Sequence, residues 1–438
     1  MKPVVYVLFL LSCLTAGAAG ENSKSVQGRA ADINYPRFTL INYKVQPGTD
    51  TVYQIDWNGE KVTTPLRPEL LMDGAEVEAK GTLDTATNTL RAQTITFTSK
   101  LGYVAIFGGT TLIQRTPQLV KGADGWSGKI HADARDLLID SKTELKFLPE
   151  SKVQSPEQVG TNVFMAYVGK LMFDGTVHVE RAAFWNNDVD SDELKFRLRD
   201  EPAIGTNEKG ISVLTVHGMK PMPLVSSEQM QRYVREIGLR LVPEFQRAMP
   251  ATNPSHVNWR FYVVHDKRKV VLGAMNGTVL VSDTVLKSMQ NEAQLASVLS
   301  ATIAQIIEEQ EYQAQGRKHV QQITGWLLTG AAAVPSPMAL VAWPVQMVNG
   351  AAYKRYLEQQ AEQAGRVGME YLIEAGYDPR EAPKAWKQTL EKRPEDSDKM
   401  PELGRYLQTE LETTYWKSDF SKFKIGTEEY KEVIRDLN

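Results

Sequence analysis

The sequence predicts an α+β protein, with a β-rich region at residues 34–185 and a mainly helical domain with a small sheet at residues 211–438. Short alternating runs of valine, threonine and aromatic residues, such as VYQIDW and TITFTS, fill the first region between Gly, Asn and Asp turn signals. From Ile211 onwards, apolar residues recur mainly at helical spacing. The length of 438 residues suits two or three domains, and the formal net charge of -3 gives no reason to expect a nucleic-acid partner.

The first 20 residues, MKPVVYVLFLLSCLTAGAAG, are typical of a secretory signal peptide, with a positive charge, an apolar run and then small residues. The run Leu10-Leu11-Ser12-Cys13 is similar to a bacterial lipobox, and the chain has 1 cysteine. We therefore expect a lipid anchor on Cys13. Ordinary cleavage after the small residues and an uncleaved anchor are the alternatives. All three place the protein outside the cytoplasm, as a periplasmic or outer-membrane lipoprotein or as a secreted protein.

The β-rich region contains an approximate two-fold repeat, which follows a small polar segment at residues 21–33 that we interpret as a tether. Each copy has a glycine three residues before a valine, then Gly-x-Leu, then a run ending in phenylalanine. The copies begin at Gly74 and Gly160, and their Gly-x-Leu elements begin at Gly81 and Gly169. This pattern predicts two small OB-like barrels, with one larger sandwich as the alternative. Residues 186–210, which are acidic and marked by glycine, are predicted to be a linker.

One amphipathic helix is predicted to begin after Asn291, in the run NEAQLASVLSATIAQ. Asn291 is a good helix N-cap, and Gln294 lies three residues further on, as in a capping box. The apolar residues share one face of the helix at i, i+3, i+4, i+8 and i+11. They are Leu295, Val298, Leu299, Ile303 and Ile306.

The segment from Gly277 to Ile306, GTVLVSDTVLKSMQNEAQLASVLSATIAQI, resembles the active-site segment of the HtpX/BepA-type zinc metallopeptidases, peptidase family M48. Members of that family read N-E-A-E-L-A-x-V-L-x-H-E-I-x-H, in which two histidines bind zinc and the glutamate activates water. The corresponding positions here are Ala301, Thr302 and Gln305. Alanine offers no donor atom, threonine is no carboxylate base, and glutamine offers a weak neutral oxygen.

A second segment, YLEQQAEQAGRVGMEYLIEAGYDP, resembles the family's third-ligand helix, which reads E-x-E-A-D-x-x-G and then A-G-Y-D-P. This resemblance puts the third zinc ligand at Ala361 and the aspartate that supports the metal site at Gly365. Both residues are of the wrong type, and no histidine follows His319 to supply the family's downstream T-H-P element. The sequence therefore predicts a degenerate family member that has no catalytic residues, no metal site and no cofactor.

The family's substrate-binding edge strand corresponds to the stretch that ends in Gly273, Ala274, Met275, Asn276 and Gly277. We expect these residues to form an edge along which an extended peptide could add as a further strand. Residues 322–350 are apolar and contain no charged residue, but three prolines interrupt them. They are predicted to form a helical hairpin that packs on the core or dips into a membrane surface, with a membrane span as the remaining alternative.

Three functions follow from these observations. The first is an exported, lipid-anchored pseudo-peptidase that binds envelope proteins or extended polypeptides without catalytic zinc. The second is an active zinc metalloendopeptidase with relocated ligands drawn from His265, His319, Glu308 or Glu309. The third is a β-barrel ligand-binding module on a helical scaffold.

Overall fold

The computed structural model describes residues 23–437, apart from 58–59, 67–69, 72–73, 99–105, 173–174, 188, 190, 200, 217–219, 311–349, 391–401 and 417. Cys13, the predicted signal peptide and all of the predicted apolar hairpin except Gly350 lie outside these residues. The chain forms two compact units, Met1–Ser99 and Lys100–Asn438. None of the helices that the structure describes combines the length and the apolar character needed to cross a membrane.

The first unit contains a six-stranded sheet, in which β1, β2, β3, β5 and β6 close into a five-stranded barrel and β4 pairs with β3 outside the ring. Its strands pair in the order β2-β1-β5-β6-β3-β4, and a further pairing of β2 with β3 closes the ring. The strands are β1 (Ser23–Asn34), β2 (Arg37–Leu40), β3 (Tyr43–Trp57), β4 (Glu60–Thr63), β5 (Glu76–Asp84) and β6 (Thr89–Thr98). The prediction of a tether at residues 21–33 is wrong, because Ser23–Asn34 is a strand whose Val26 and Ala30 are buried in the barrel. Polar residues, glycine and alanine at most of the other positions of this strand conceal its alternation of apolar and polar residues.

The second unit begins with a seven-stranded sheet. Its order is β7-β12-β13-β10-β9-β8, and β11 also pairs with β13. The strands are β7 (Ile106–Ile113), β8 (Gln118–Gly122), β9 (Gly125–Ala132), β10 (Arg135–Ile139), β11 (Glu144–Phe147), β12 (Val163–Leu171) and β13 (Val177–Asn186). Strand β13 pairs in parallel with β10 and β11 and antiparallel with its hairpin partner β12. Strand β6 of the first unit has the same arrangement, because it pairs in parallel with β3 and antiparallel with its hairpin partner β5.

The glycines of the sequence repeat serve the same purpose in the two sheets. Gly81 and Gly169 each follow a register shift in a hairpin, β5 with β6 and β12 with β13. A β-carbon on Gly81 would lie 1.9 Å from the carbonyl oxygen of Arg91, and one on Gly169 would lie 2.2 Å from that of His178. Only glycine fits at these two bulges, where the partner strand approaches closely.

The rest of the second unit is mainly helical with small sheets, as the α+β prediction requires. The predicted linker at residues 186–210 is wrong in part, because it contains a helix and a strand. The helices are α1 (Ser191–Arg199), α2 (Glu228–Leu241), α3 (Glu244–Arg247), α4 (Asp283–Ser288), α5 (Glu292–Ile307), α6 (Gly350–Glu374), α7 (Ala382–Leu390), α8 (Glu402–Thr413) and α9 (Thr427–Ile434). The strands are β14 (Ala203–Thr206), β15 (Ser212–Thr215), β16 (Met222–Pro223), β17 (Arg260–Val264), β18 (Val271–Gly273) and β19 (Thr278–Ser282).

Two three-stranded sheets, β14-β15-β16 and β17-β19-β18, are joined by an antiparallel bridge between Leu224 and Val264. The backbone N–H of Val225 donates to the carbonyl oxygen of Val263, and that of His265 donates to Pro223. The joined ladder ends at β14 on one side and at β18 on the other.

Helix α5 lies in the centre of this domain. Asn291 caps it as predicted, since its side-chain oxygen accepts a hydrogen bond from the backbone N–H of Gln294 at 2.9 Å. The prediction of a one-sided apolar face is too narrow, because α2, α6, α7 and β18 all pack against α5. Small residues such as Ala293 and Ala304 are therefore as buried as Leu295.

Candidate functional site

The residues at the metal positions that the family resemblance assigns surround one cavity of about 290 Å³. Ala301 and Gln305 reach it from α5, and Ala361 reaches it from α6. Helices α7 and α8 complete the wall. The full lining is Ala301, Gln305, Ala361, Glu362, Ala364, Trp386, Glu402 and Leu403. The structure thus brings together three positions that the resemblance assigned to one zinc ion.

The lining residues do not suit a zinc ion. Ala301 and Ala361 present methyl groups, and Gln305 presents an amide, whereas zinc prefers thiolate, imidazole and carboxylate ligands. Thr302, at the position of the catalytic glutamate, donates its hydroxyl hydrogen to the carbonyl oxygen of Val298 at 2.9 Å. Within the described ranges, no group of three or more His, Cys, Asp or Glu residues could hold a metal ion.

Gly365, at the position of the supporting aspartate, packs against leucines. A β-carbon built on Gly365 would lie 3.2 Å from methyl carbons of both Leu403 and Leu407 of α8. A carboxylate at residue 365 would therefore enter an apolar contact between two helices. This packing suits glycine and disfavours the residue that the resemblance requires.

Strand β18 lies at the edge of its sheet, beside α5. Among the described strands only β19 pairs with it. Ala274 N–H donates to the carbonyl oxygen of Thr278, and Ser282 N–H donates to that of Val270. Because the bonds of an antiparallel ladder alternate, the backbone N–H and C=O groups of Val271 and Gly273 point away from β19.

Only Gly273 of the predicted edge residues lies in this strand. Ala274, Met275, Asn276 and Gly277 form the turn into β19, and Ala274 and Met275 are buried. The turn forms here because Gly277 adopts a φ of 88° and the Asn276 side chain accepts a hydrogen bond from the backbone N–H of Thr278. The available edge is thus shorter than predicted and begins earlier, at Val271.

The residues considered as relocated zinc ligands lie in separate environments. His265 Nδ1 lies 2.9 Å from Asp283 Oδ2, on an exposed surface. Glu308 is fully buried and accepts hydrogen bonds from the backbone N–H of Leu112 at 2.9 Å and from the side chains of Thr111 and Gln114. The oxygen Oε1 of Glu309 lies 3.7 Å from Arg197 Nη2. His319 lies outside the described residues.

Burial, followed by the charge of Asp133, raises the pKa of Glu308 to about 8. The carboxyl group therefore holds a proton more strongly than usual, although backbone and side-chain donors favour its charged form. Its hydrogen bonds join the end of α5 to strand β7, so we interpret Glu308 as a structural link between the helix and the sheet.

A buried ionic cluster joins the seven-stranded sheet to helices α6 and α8. Arg366 donates from Nε to the carbonyl oxygen of Asp133 at 2.9 Å and from Nη2 to the Asp133 carboxylate at 2.5 Å. Arg135 donates to Glu410, and Tyr167 donates its hydroxyl hydrogen to Asp133 at 2.6 Å. All five side chains are at least nine-tenths buried. Burial acts to raise the pKa of Glu410, but the two arginine charges outweigh it and lower that pKa.

The sequence analysis missed this cluster. One signal was present, since Arg366 is a charged residue within AGRVG, among small residues that indicate close helix packing. Its partner Asp133 lies 233 residues earlier and in a different type of element, and the sequence contains no pattern that connects the two residues.

Comparison with known proteins finds similarity in the part of the chain that surrounds the cavity. The family model described as Peptidase family M48 matches residues 228–411. The Beta-barrel assembly-enhancing protease of Escherichia coli (strain K12) is 24% identical over 168 residues, which are 37% of this chain and 33% of that protein. The proteins of the same name from Escherichia coli O157:H7 and Yersinia pestis are 25% and 24% identical, with the same coverage of 37% and 33%. The match therefore spans about a third of the length of these relatives.

Proposed function

Because residues 228–411 belong to peptidase family M48, we propose that this chain keeps the peptidase fold to bind extended polypeptides and does not cleave them. The main support is the cavity at the ligand positions. Methyl groups of Ala301 and Ala361 and the amide of Gln305 occupy the places where a zinc-dependent member needs two imidazoles and a carboxylate. This chain's residues supply neither a metal ligand set there nor a base at Thr302.

The binding surface that we propose is the edge of β18 that faces away from β19 and pairs with no other strand that the structure describes. The outward backbone groups of Val271 and Gly273 can pair with an extended chain, which adds as a further strand. Recognition of this kind depends on main-chain hydrogen bonds and does not require a catalytic centre. The edge can therefore function whether or not the metal positions do.

We propose that the partners are envelope proteins and that the protein is exported. Two observations support this proposal. The sequence begins with a predicted signal peptide whose Cys13 is positioned for lipidation, and the relatives are named for enhancing β-barrel assembly. A lipid on Cys13 would attach the protein to a membrane, and the apolar segment 322–350 is a second candidate for membrane contact.

A second candidate function is zinc-dependent proteolysis with relocated ligands. The names of the relatives, which are proteases, favour it. Two contacts argue against it, because they occupy groups that zinc would need. His265 contacts the carboxylate of Asp283, and Glu308 accepts a hydrogen bond from the backbone of strand β7.

Zinc content and peptide binding, measured on the mature protein purified without chelator, separate these functions. We expect near-zero zinc by elemental analysis, no cleavage of casein, and binding of an extended fluorescent peptide by anisotropy. A variant with Val271→Pro should lose peptide binding and retain its fold. One zinc per chain with chelator-sensitive cleavage would overturn the proposal in favour of the peptidase. Absence of both zinc and peptide binding would leave the β-barrel module as the function to test.

A further inference from the structure

The cavity at the former metal positions has the size of a side-chain pocket. Its volume of about 290 Å³ exceeds the roughly 150 Å³ of an apolar cavity that binds a benzene-sized molecule. Most of its wall is apolar. The apolar contributors are Ala301, Ala361, Ala364, Leu403 and the ring of Trp386.

The polar groups of the cavity restrict the chemistry of its ligand. Glu362 and Glu402 lie in the lining, and none of its described residues is basic, so an acidic group would meet negative charge from these two side chains. The Nε1 atom of Trp386 is buried and has no hydrogen-bond partner among the residues that the structure describes. A buried indole N–H normally has an acceptor, so Trp386, which lines the cavity, carries a donor that no described residue satisfies.

The cavity and the edge strand lie on neighbouring faces of α5. Thr302 and Ile306 face Gly273 of β18, because a β-carbon on Gly273 would lie within 2.9 Å of both side chains. Ala301 and Gln305, each one residue earlier, line the cavity. Successive residues of an α-helix are about 100° apart around its axis, so the face of α5 that lines the cavity adjoins the face that packs against β18.

We propose that the cavity accepts one large uncharged side chain, such as leucine, methionine or phenylalanine, from an extended polypeptide bound along β18. This inference rests on the proposed function and assigns to it a sequence preference. Alanine stands at two of the three ligand positions that the family resemblance assigns, Ala301 and Ala361, and these small residues leave the space that the side chain would fill.

A peptide series tests the preference. Five hexapeptides of serine, threonine and glycine carry Phe, Leu, Ala, Asp or Lys at one central position, and calorimetry measures their affinity for the full chain. We expect Phe or Leu to bind about tenfold or more tightly than Ala, from the apolar area that is buried. Asp should bind no better than Ala, and Lys should bind less tightly than Leu.

Variants at one position link the preference to the cavity. Ala361→Phe fills the space and should reduce the affinity for the Phe and Leu peptides to that for the Ala peptide, which should be unchanged. Gly205→Ala, which lies in β14 and outside the cavity lining, is the control and should retain the preference. Leu403→Phe fills the cavity from α8 and replaces the first variant if circular dichroism shows that Ala361→Phe does not fold.

The outcomes separate this inference from the function on which it rests. Equal affinity of the wild-type protein for all five peptides, tightest binding of the Lys peptide, or a preference that survives both filled variants overturns the pocket alone. Binding of none of the peptides by the wild-type protein overturns the proposed function and the pocket together.

Discussion

The backbones of Gly368 in α6 and Ala301 in α5 are in direct contact. A β-carbon added to Gly368 would lie 2.5 Å from the Ala301 backbone nitrogen and 2.6 Å from its α-carbon. Real β-carbons do not approach backbone atoms so closely, so any larger residue at position 368 must push the two helices apart. This contact fixes the spacing across which Ala301 and Ala361 face one cavity.

We predict that Gly368→Ala destabilises the second unit by about 3 kcal/mol, because the clash is with backbone atoms that cannot rotate away. Urea denaturation measures the change. Gly205→Ala in β14 is the control, since nothing lies within 4 Å of its added β-carbon, and its free energy of unfolding should change little. Equal effects of the two substitutions would show that α5 and α6 are not packed as described.

Asp133→Asn should destabilise the second unit by about 3–5 kcal/mol, because it leaves the buried guanidinium of Arg366 without its counter-charge. Tyr167→Phe removes a single hydrogen bond to Asp133 and should cost about 1 kcal/mol. Denaturant titration of both variants provides the comparison. A loss for Asp133→Asn no larger than that for Tyr167→Phe would contradict a buried ion pair.

Glu308 should make stability fall as pH rises. Its pKa of about 8 in the folded protein lies above the roughly 4.3 of an exposed glutamate, so folding takes up a proton between these values. The stabilisation is complete at acidic pH and is lost as pH rises towards 8. Glu308→Gln cannot ionise, so its free energy of unfolding should decline less than that of the wild-type protein between pH 5 and 8. Parallel profiles for the two proteins would sink this assignment.

Val271→Pro should abolish the binding of extended peptides, because it removes an N–H group that points away from β19. The loss of this outward group breaks no bond within the hairpin, so the melting temperature should change by a few degrees at most. Val271→Thr, which keeps the N–H, is the matched control and should bind peptides as the wild-type protein does. Anisotropy with one fluorescent peptide measures all three proteins.

Introducing the metal-binding residues of the family should create a metal site. The combination of Ala301→His, Thr302→Glu, Gln305→His and Ala361→Glu places two imidazoles and a carboxylate around one cavity, and it should raise zinc content to about one per chain. A variant without Ala361→Glu lacks one ligand and should bind zinc more weakly. Elemental analysis and titration with a zinc indicator distinguish these outcomes. If the full combination binds no more zinc than the wild-type protein, the three positions do not converge as the structure describes.

The α+β class and the position of the region that matches the family model could be predicted because both depend on local patterns. Asn291 caps α5 through atoms three residues away, and the glycines of the sequence repeat lie at bulges formed by consecutive strands. Such features depend on neighbours in the chain. The convergence of Ala301 and Ala361 was accessible only through the family resemblance, because 60 residues separate them.

Other features depend on contacts that no local pattern encodes. Strand β1 was interpreted as a tether because its outward residues are small and polar, whereas its inward residues become meaningful only when the barrel closes. The turn at Ala274 to Gly277 was interpreted as an edge because the family alignment gives no register. The cluster around Asp133 requires the sheet and the helices to be placed together before any of its residues stands out.

That buried cluster also bears on the order of folding. The sheet contributes one negative and one positive side chain, Asp133 and Arg135, and the helices contribute one of each, Arg366 and Glu410. Each ion pair nevertheless joins a residue of the sheet to a residue of a helix. Neither the sheet alone nor the helices alone can form these ion pairs after water has been excluded. The sheet and the helices must therefore lose their water at the same step, so we expect this unit to unfold in one cooperative transition and its isolated sheet to be a poor folding intermediate.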